Sequence, residues 1–230
     1  MEFGLCCLFH KEPIKFKTYT WSSLEPLLLS DLDKGLEKIF TIWDNNISSL
    51  QKAIDYCYNN NIKSYRVSSD LFPQFTRVYP YVEKYLDKYI EKLKNINTKG
   101  IILSMHPGQY VNLGSPTQSV VDSSIKDLEY HNLLATALKC NEINIHLGGV
   151  YGDKQSAINR FIDVAWKLPF IDKITIENDE YSYNIFEVLH VTSVLGIRAT
   201  YDIHHQFCYE VGKQESFSCV LENIEKASKN

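Results

Sequence analysis

Short runs rich in Ile, Val, Leu and Tyr alternate along the chain with longer stretches whose apolar residues fall at steps of three and four. That alternation is the pattern of parallel strands joined by crossover helices. Six runs read as strands: residues 3–7, 64–68, 100–105, 142–146, 173–177 and 197–202. Each is short and bounded by polar or turn residues, as expected for strands covered on both faces. The helical stretches are marked by their stripes. Val82, Tyr85, Leu86, Tyr89, Ile90 and Leu93 form one, with Lys84, Asp87, Lys88, Glu91 and Lys92 mostly opposite. Ile158, Phe161, Ile162, Ala165 and Trp166 form another, ended by Pro169. Between residues 30 and 61 the acidic start and the period predict a helix opening at Ser30 and broken near Asn45 and Asn46.

Six strand-helix units fit either an open doubly wound sheet or part of an eightfold barrel. A dinucleotide-binding sheet carries a Gly-rich turn after its first strand, whereas this chain reads Gly4-Leu5-Cys6-Cys7-Leu8 there, with no GxGxxG. The barrel is therefore the favoured reading, and no nucleotide cofactor is expected. The chain shows no internal repeat, low-complexity tract or linker, so a single domain is the simplest organisation.

Composition narrows the function classes. Lys and Arg total 24 against 28 Asp and Glu, a formal charge of −4, so a polyanion cannot be gripped by bulk basicity. Such a partner requires a local source of positive charge, such as bound metal. No apolar run reaches the roughly 18 residues of a membrane-spanning helix, and the first ten residues are too short and weakly flanked for a signal peptide. An intracellular protein without a membrane partner is expected. Six cysteines without a CxxC spacing point to unbridged, mostly buried thiols.

Metal-capable side chains stand at the ends of four successive predicted strands: His106, His146, Glu177 and Asp202, with His205 three residues further on. In a parallel barrel all strand C-termini open on one face, so residues a hundred positions apart can meet there. Taken singly, each has an ordinary reading as a hydrogen-bonded histidine, an ion-pair partner or a turn cap. Their equivalent placement favours a shared site for Mn²⁺, Zn²⁺ or Fe²⁺, and the absence of a thiolate argues against a closed structural zinc site. His10, His131 and His190 fall outside the strand ends. The last two read as surface or packing residues. His204, adjacent to His205, reads as a support for the site or a lining of its cleft.

Three loops add polar chemistry. Pro107 and Gly108 force a turn that presents Gln109 and Tyr110 side by side, a pair able to wedge into a base stack; the competing reading packs Tyr110 beneath its own loop. Gly148 and Gly149 either let backbone approach a ligand or form a plain turn. Ser68, Ser69 and Asp70 can bind a phosphate or a metal-bound water, or can cap a helix.

The run SMHPGQYVNLGSP, together with YRVSSDLFP, IHLGGVYGDK, IENDE and YDIHH, resembles the ultraviolet damage endonuclease family. The similarity extends from about Tyr65 to His205, with a weaker echo in residues 4–7. The resemblance implies a TIM-type (β/α) barrel related to endonuclease IV. It implies a cluster of divalent metals, usually manganese with zinc or magnesium as alternatives, and cleavage of duplex DNA just 5′ of a photoproduct or abasic site. His106, His146, Glu177, Asp202 and His205 match the family's metal ligands, with Glu177 as a bridging, catalytic carboxylate. Gln109 and Tyr110 match the pair that probes the damaged duplex, and Asn112 lies in the same motif as a further DNA contact. The family's barrel continues through two more strand-helix units, so the chain is expected to be a single barrel domain over residues 1–230, C-terminally incomplete. Leu5 stands where some members carry tyrosine, and Asp70 where some carry histidine. Two other readings compete: a damaged-DNA binder or barrel-completing protein that does not cut, and a metal-dependent sugar isomerase, in which HPGQY has no role.

Overall fold

The computed structural model describes residues 3–7, 9 and 11–212. His10 and Cys219 lie outside the described residues. Six strands, β1 (Gly4–Cys6), β2 (Ser64–Val67), β3 (Ile102–Met105), β4 (Glu142–His146), β5 (Ile174–Glu177) and β6 (Arg198–Thr200), form one sheet in the order β1-β2-β3-β4-β5-β6. The pairs with defined register are parallel: Tyr65 lies opposite Leu5 and Leu103, Met105 opposite Ile143, and Ile176 opposite Ala199. A doubly wound sheet reverses strand order at a switch point, and here the order never reverses, which is the topology of a (β/α) barrel. Every residue of β5 is buried, the polar Thr175 and Glu177 included, whereas Gly4 and Cys6 of β1 are exposed.

The described residues fall into two compact units, one built from residues up to His106 with Glu129–Ile143, the other from Pro107–Leu128 with the residues from Asn144 onward. In the first unit, α1 (Trp21–Ser30) is followed at once by α2 (Leu32–Asn59). The helix start expected at Ser30 lies one residue later. Ser30 ends α1, and the Asp31 carboxylate caps α2 by accepting from the Lys34 amide at 3.1 Å. The expected break at Asn45 and Asn46 does not occur. Asn46 is fully buried and faces the loops, its Nδ2 lying 2.9 Å from the carbonyls of Lys17 and Asp70 while its Oδ1 accepts from the Lys17 amide at 2.7 Å. A residue read as a breaker thus satisfies loop backbone from within an intact helix. Gly35 of α2 stands where an added Cβ would meet Leu28 Cδ2 at 2.6 Å, so its lack of a side chain lets the two helices close.

The stripe from Val82 to Leu93 is divided. Helix α3 (Phe75–Val82) passes through a 3-10 turn at Glu83–Tyr85 into α4 (Leu86–Lys94), with Val82, Tyr89 and Leu93 still buried. Their packing is aromatic. Trp43 stacks on Phe72 at 4.1 Å between ring centroids and meets Tyr89 edge-on at 5.1 Å, while Phe75 stacks on Tyr130 at 4.4 Å. The neighbouring His131 is buried, a packing residue as expected. Helix α5 (Gln118–Leu138) carries both of these last residues.

In the second unit, α6 (Lys154–Ala165) opens on Asp153, whose carboxylate accepts from the Gln155 amide at 3.1 Å. Helix α7 (Ile185–Leu195) has a full capping box, Asn184 with Glu187, and ends on Gly196 in the left-handed region. Helix α8 (Ile203–Gly212) follows β6 almost directly. Fewer cysteines are buried than expected. Cys57 and Cys140 are, but Cys6 sits on the exposed edge strand and Cys7 and Cys208 are half-buried. Among the described residues, no helix is long and apolar enough to cross a membrane.

Candidate metal centre

Strand alternation sends His146, at the end of β4, and Glu177, at the end of β5, off their strand termini, and α8 begins where β6 has just ended. Within the second unit this gathers Glu177, Asp202 and His205, which can each offer a ligand atom with all three atoms within 4.8 Å of one another. His146 completes the group from β4, its ring 5.5 Å from that of His205 between centroids. His106 follows β3 at the close of the first unit and is half-buried.

Each side chain is held. Glu177 is 2% exposed, its Oε2 accepting from Asn144 Nδ2 and its Oε1 lying 3.6 Å from His205 Nδ1. Asp202 caps α8 by accepting from the His205 amide at 2.8 Å. Fully buried Asn178 pairs with the backbone of Asp202 in both directions, donating to its carbonyl and accepting from its amide, each at 2.9 Å. Burial pushes the Asp202 carboxyl upward, but the His205 amide and the His205 ring outweigh it and hold the group below its ordinary value, in the ionised form a cation needs.

His205 Nδ1 lies 3.0 Å from the Asn178 carbonyl. A carbonyl only accepts, so Nδ1 donates to it, and with that nitrogen anchored Nε2 is the ring atom that could serve a metal. Nε2 lies 3.7 Å from Glu180 Oε2. Carboxylates and imidazoles with fixed orientations suit a divalent ion of the Mn²⁺ or Zn²⁺ kind.

Beside these groups lies a cavity of about 220 Å³ lined by Gln109, Asn112, His146, Gly148, Glu180 and Tyr181, among others. Asn112 donates through Nδ2 to the Tyr151 hydroxyl at 2.6 Å, and its amide donates to Ser124 Oγ at 2.8 Å. Gly148 has φ +90°, and a Cβ there would fall 2.5 Å from Asn112 Oδ1, so the bare backbone makes room for the Asn112 side chain. Gln109 is exposed, and Tyr110 is 67% exposed with its hydroxyl donating to Asp127 at 3.1 Å, so it does not pack beneath its loop. Ser68 acts as a cap, accepting from the Asp70 amide at 3.2 Å at the start of a 3-10 turn. His204 and His190 are exposed, and His204 Nε2 lies 3.7 Å from Cys208 Sγ.

Sequence reasoning missed Asn144, Asn178 and Glu180. Asn178 and Glu180 lie within three residues of Glu177, so proximity was the available signal. Asn144 had another: a polar residue stands two positions before each strand-end ligand, at Ser104, Asn144, Thr175 and Thr200.

Residues 1–226 match the family model described as UV-endonuclease UvdE. The chain belongs to that family. It is 34% identical over 212 residues to the UV DNA damage endonuclease of Clostridium perfringens, an overlap covering 87% of this chain and 51% of that protein. With the UV DNA damage endonuclease of Nostoc sp. it shares 30% identity over 218 residues, 91% of this chain and 66% of that one. The chain therefore spans between half and two thirds of the length of these relatives. The crystal structure of SacUVDE superposes with a TM-score of 0.78 at 27% identity, covering 99% of this chain and 77% of that one. Endonuclease IV from Thermus thermophilus shares the fold, with a TM-score of 0.53 at 16% identity over 77% of this chain and 66% of that one. The family membership expected from the motifs and the barrel-type class expected from the strand pattern both hold.

Proposed function

We propose that this chain is an intracellular DNA repair endonuclease that hydrolyses the phosphodiester 5′ of ultraviolet photoproducts or abasic sites, with divalent metal ions, Mn²⁺ foremost, as its cofactor. The convergence of Glu177, Asp202 and His205 carries this reading, and the names of the relatives above give it its substrate. Glu177, Asp202, His205 and His146 would hold the metal within the second unit, and His106 stands at the matching strand end of β3 in the first. When bound, such ions supply Lewis acidity, a nucleophilic hydroxide at neutral pH and the positive charge that a chain of formal charge −4 lacks.

The chain's own residues position and select. Buried Glu177, held by Asn144, and capped Asp202, whose carboxyl is held below its ordinary value, are already oriented, so little reorganisation is needed when a phosphate arrives. Gln109 and Tyr110, exposed together on one turn, would press into the duplex, and Asn112 would meet the strand inside the cavity. Prying bases apart costs least where a lesion has already weakened stacking, which makes such a wedge a damage sensor.

The test is to incubate the chain with Mn²⁺ and irradiated supercoiled plasmid, and to map the cut on a sequencing gel. Nicks 5′ of lesions, lost with chelator and with Glu177→Ala, are expected. Nicking that survives both treatments would overturn the metal mechanism, and tight binding of irradiated duplex without any nick would make the protein a damage binder instead.

A further inference from the structure

Beside the candidate ligands runs a row of neutral polar groups, buried at Asn144 and Thr175 and half-buried at Thr200. Asn144, Thr175 and Thr200 stand two residues before His146, Glu177 and Asp202, and within β4 and β5 the two-residue period of a strand sets Asn144 with His146 and Thr175 with Glu177 on a common side. Asn144 and Thr175 are each 1% exposed. The Thr200 hydroxyl donates to Thr175 Oγ1 at 3.3 Å, the Thr175 hydroxyl donates to Asn144 Oδ1 at 3.0 Å, and Asn144 Nδ2 donates to Glu177 Oε2.

The direction of this chain is fixed by proton count. A hydroxyl has one proton to give, and Thr175 gives its proton to Asn144 while receiving that of Thr200. Turning the Asn144 amide over would set its oxygen against the Glu177 carboxylate, two acceptors in a buried place, and would leave the Thr175 proton facing an NH₂ group. The relay therefore locks the amide, and the amide holds one carboxylate oxygen of Glu177. The other oxygen is left toward His205.

We infer that Asn144 is the positioning residue for Glu177, locked by the Thr175–Thr200 relay, and that this row sets the affinity of the site for a divalent cation. The inference rests on the metal reading given above. It assigns function to three residues that bear no charge and ligate nothing.

The experiment titrates Mn²⁺ calorimetrically into the metal-stripped full chain and into its Asn144→Leu, Thr175→Val, Thr175→Ser and Thr200→Val variants, with thermal unfolding of each metal-free protein alongside. Asn144→Leu and Thr175→Val are expected to weaken Mn²⁺ binding about 10- to 100-fold, the usual effect of losing a residue that orients a ligand. Thr175→Ser, which keeps the hydroxyl, should bind like the parent. Thr200→Val, one bond further out, should show a smaller loss in the same direction and serves if Asn144→Leu does not fold. A row that merely packs would lower unfolding temperatures while leaving the affinity of the folded chain unchanged, and that result overturns the inference. A parent chain that binds no Mn²⁺ defeats the metal reading and the inference with it; a parent that binds, with variants that bind equally, defeats the inference alone.

Discussion

The aromatic cluster around Trp43 in the first unit and the polar group of Asn144, Thr175 and Glu177 in the second are both buried, and they are built on opposite principles. Around Trp43, Phe72 and Tyr89 the contacts are ring faces and edges, strong in sum and individually replaceable. Around Asn144, Thr175 and Glu177 each contact has a donor, an acceptor and a direction, and removing one strands another. Burial in the first place supplies stability, whereas in the second it buys orientation at the expense of stability. The difference teaches that the same degree of burial marks an apolar core in one unit and a candidate site in the other, and that the hydrogen-bond pattern tells them apart.

The sharpest test of that contrast is Trp43→Ala. Loss of a fully buried indole should cost about 3–5 kcal/mol in urea denaturation, while Mn²⁺ affinity of the folded protein stays unchanged; a parallel loss of affinity would break the division between the two regions. Asn46→Ala comes next, because Asn46 is the polar exception inside the apolar unit. Stranding the Lys17 and Asp70 backbone groups it satisfies should cost about 1–3 kcal/mol, again by urea denaturation. Asn184→Ala removes the capping box of α7 and should lower stability by about 1 kcal/mol, seen as a modest drop in unfolding temperature. Tyr89→Phe should be smallest, within about 0.5 kcal/mol at neutral pH. Its signature lies in alkali, since burial, aided by the Asp44 charge, pushes the Tyr89 hydroxyl from 10.0 up to about 12. A group raised in the folded state contributes stability that is complete below its unfolded value and is lost as pH climbs through the folded one. The parent should therefore lose stability between pH 10 and 12, and Tyr89→Phe should lose less, as followed by unfolding temperature against pH.

How far the chain could be read in advance follows the same division. The strands were legible because continuous apolar runs bounded by turns have few other outcomes, and the strand-end positions of His146, Glu177 and Asp202 came with them. The helix through Asn45 and Asn46 was misread because an asparagine that bonds distant loop backbone looks, in sequence, like one that breaks a helix. The stripe from Val82 to Leu93 hid its 3-10 turn since the buried face survives the interruption. Asn144 and Thr175 went unnoticed for a related reason: neutral polar letters in a strand carry no mark of which hydrogen bond they will make.

Gly148 offers a last consequence. Because its backbone sits at φ +90° and its missing side chain leaves room for Asn112, an alanine here would strain the turn and push Asn112 aside without altering a single charge. Gly148→Ala is thus a steric perturbation of the recess wall that adds no charge and removes none.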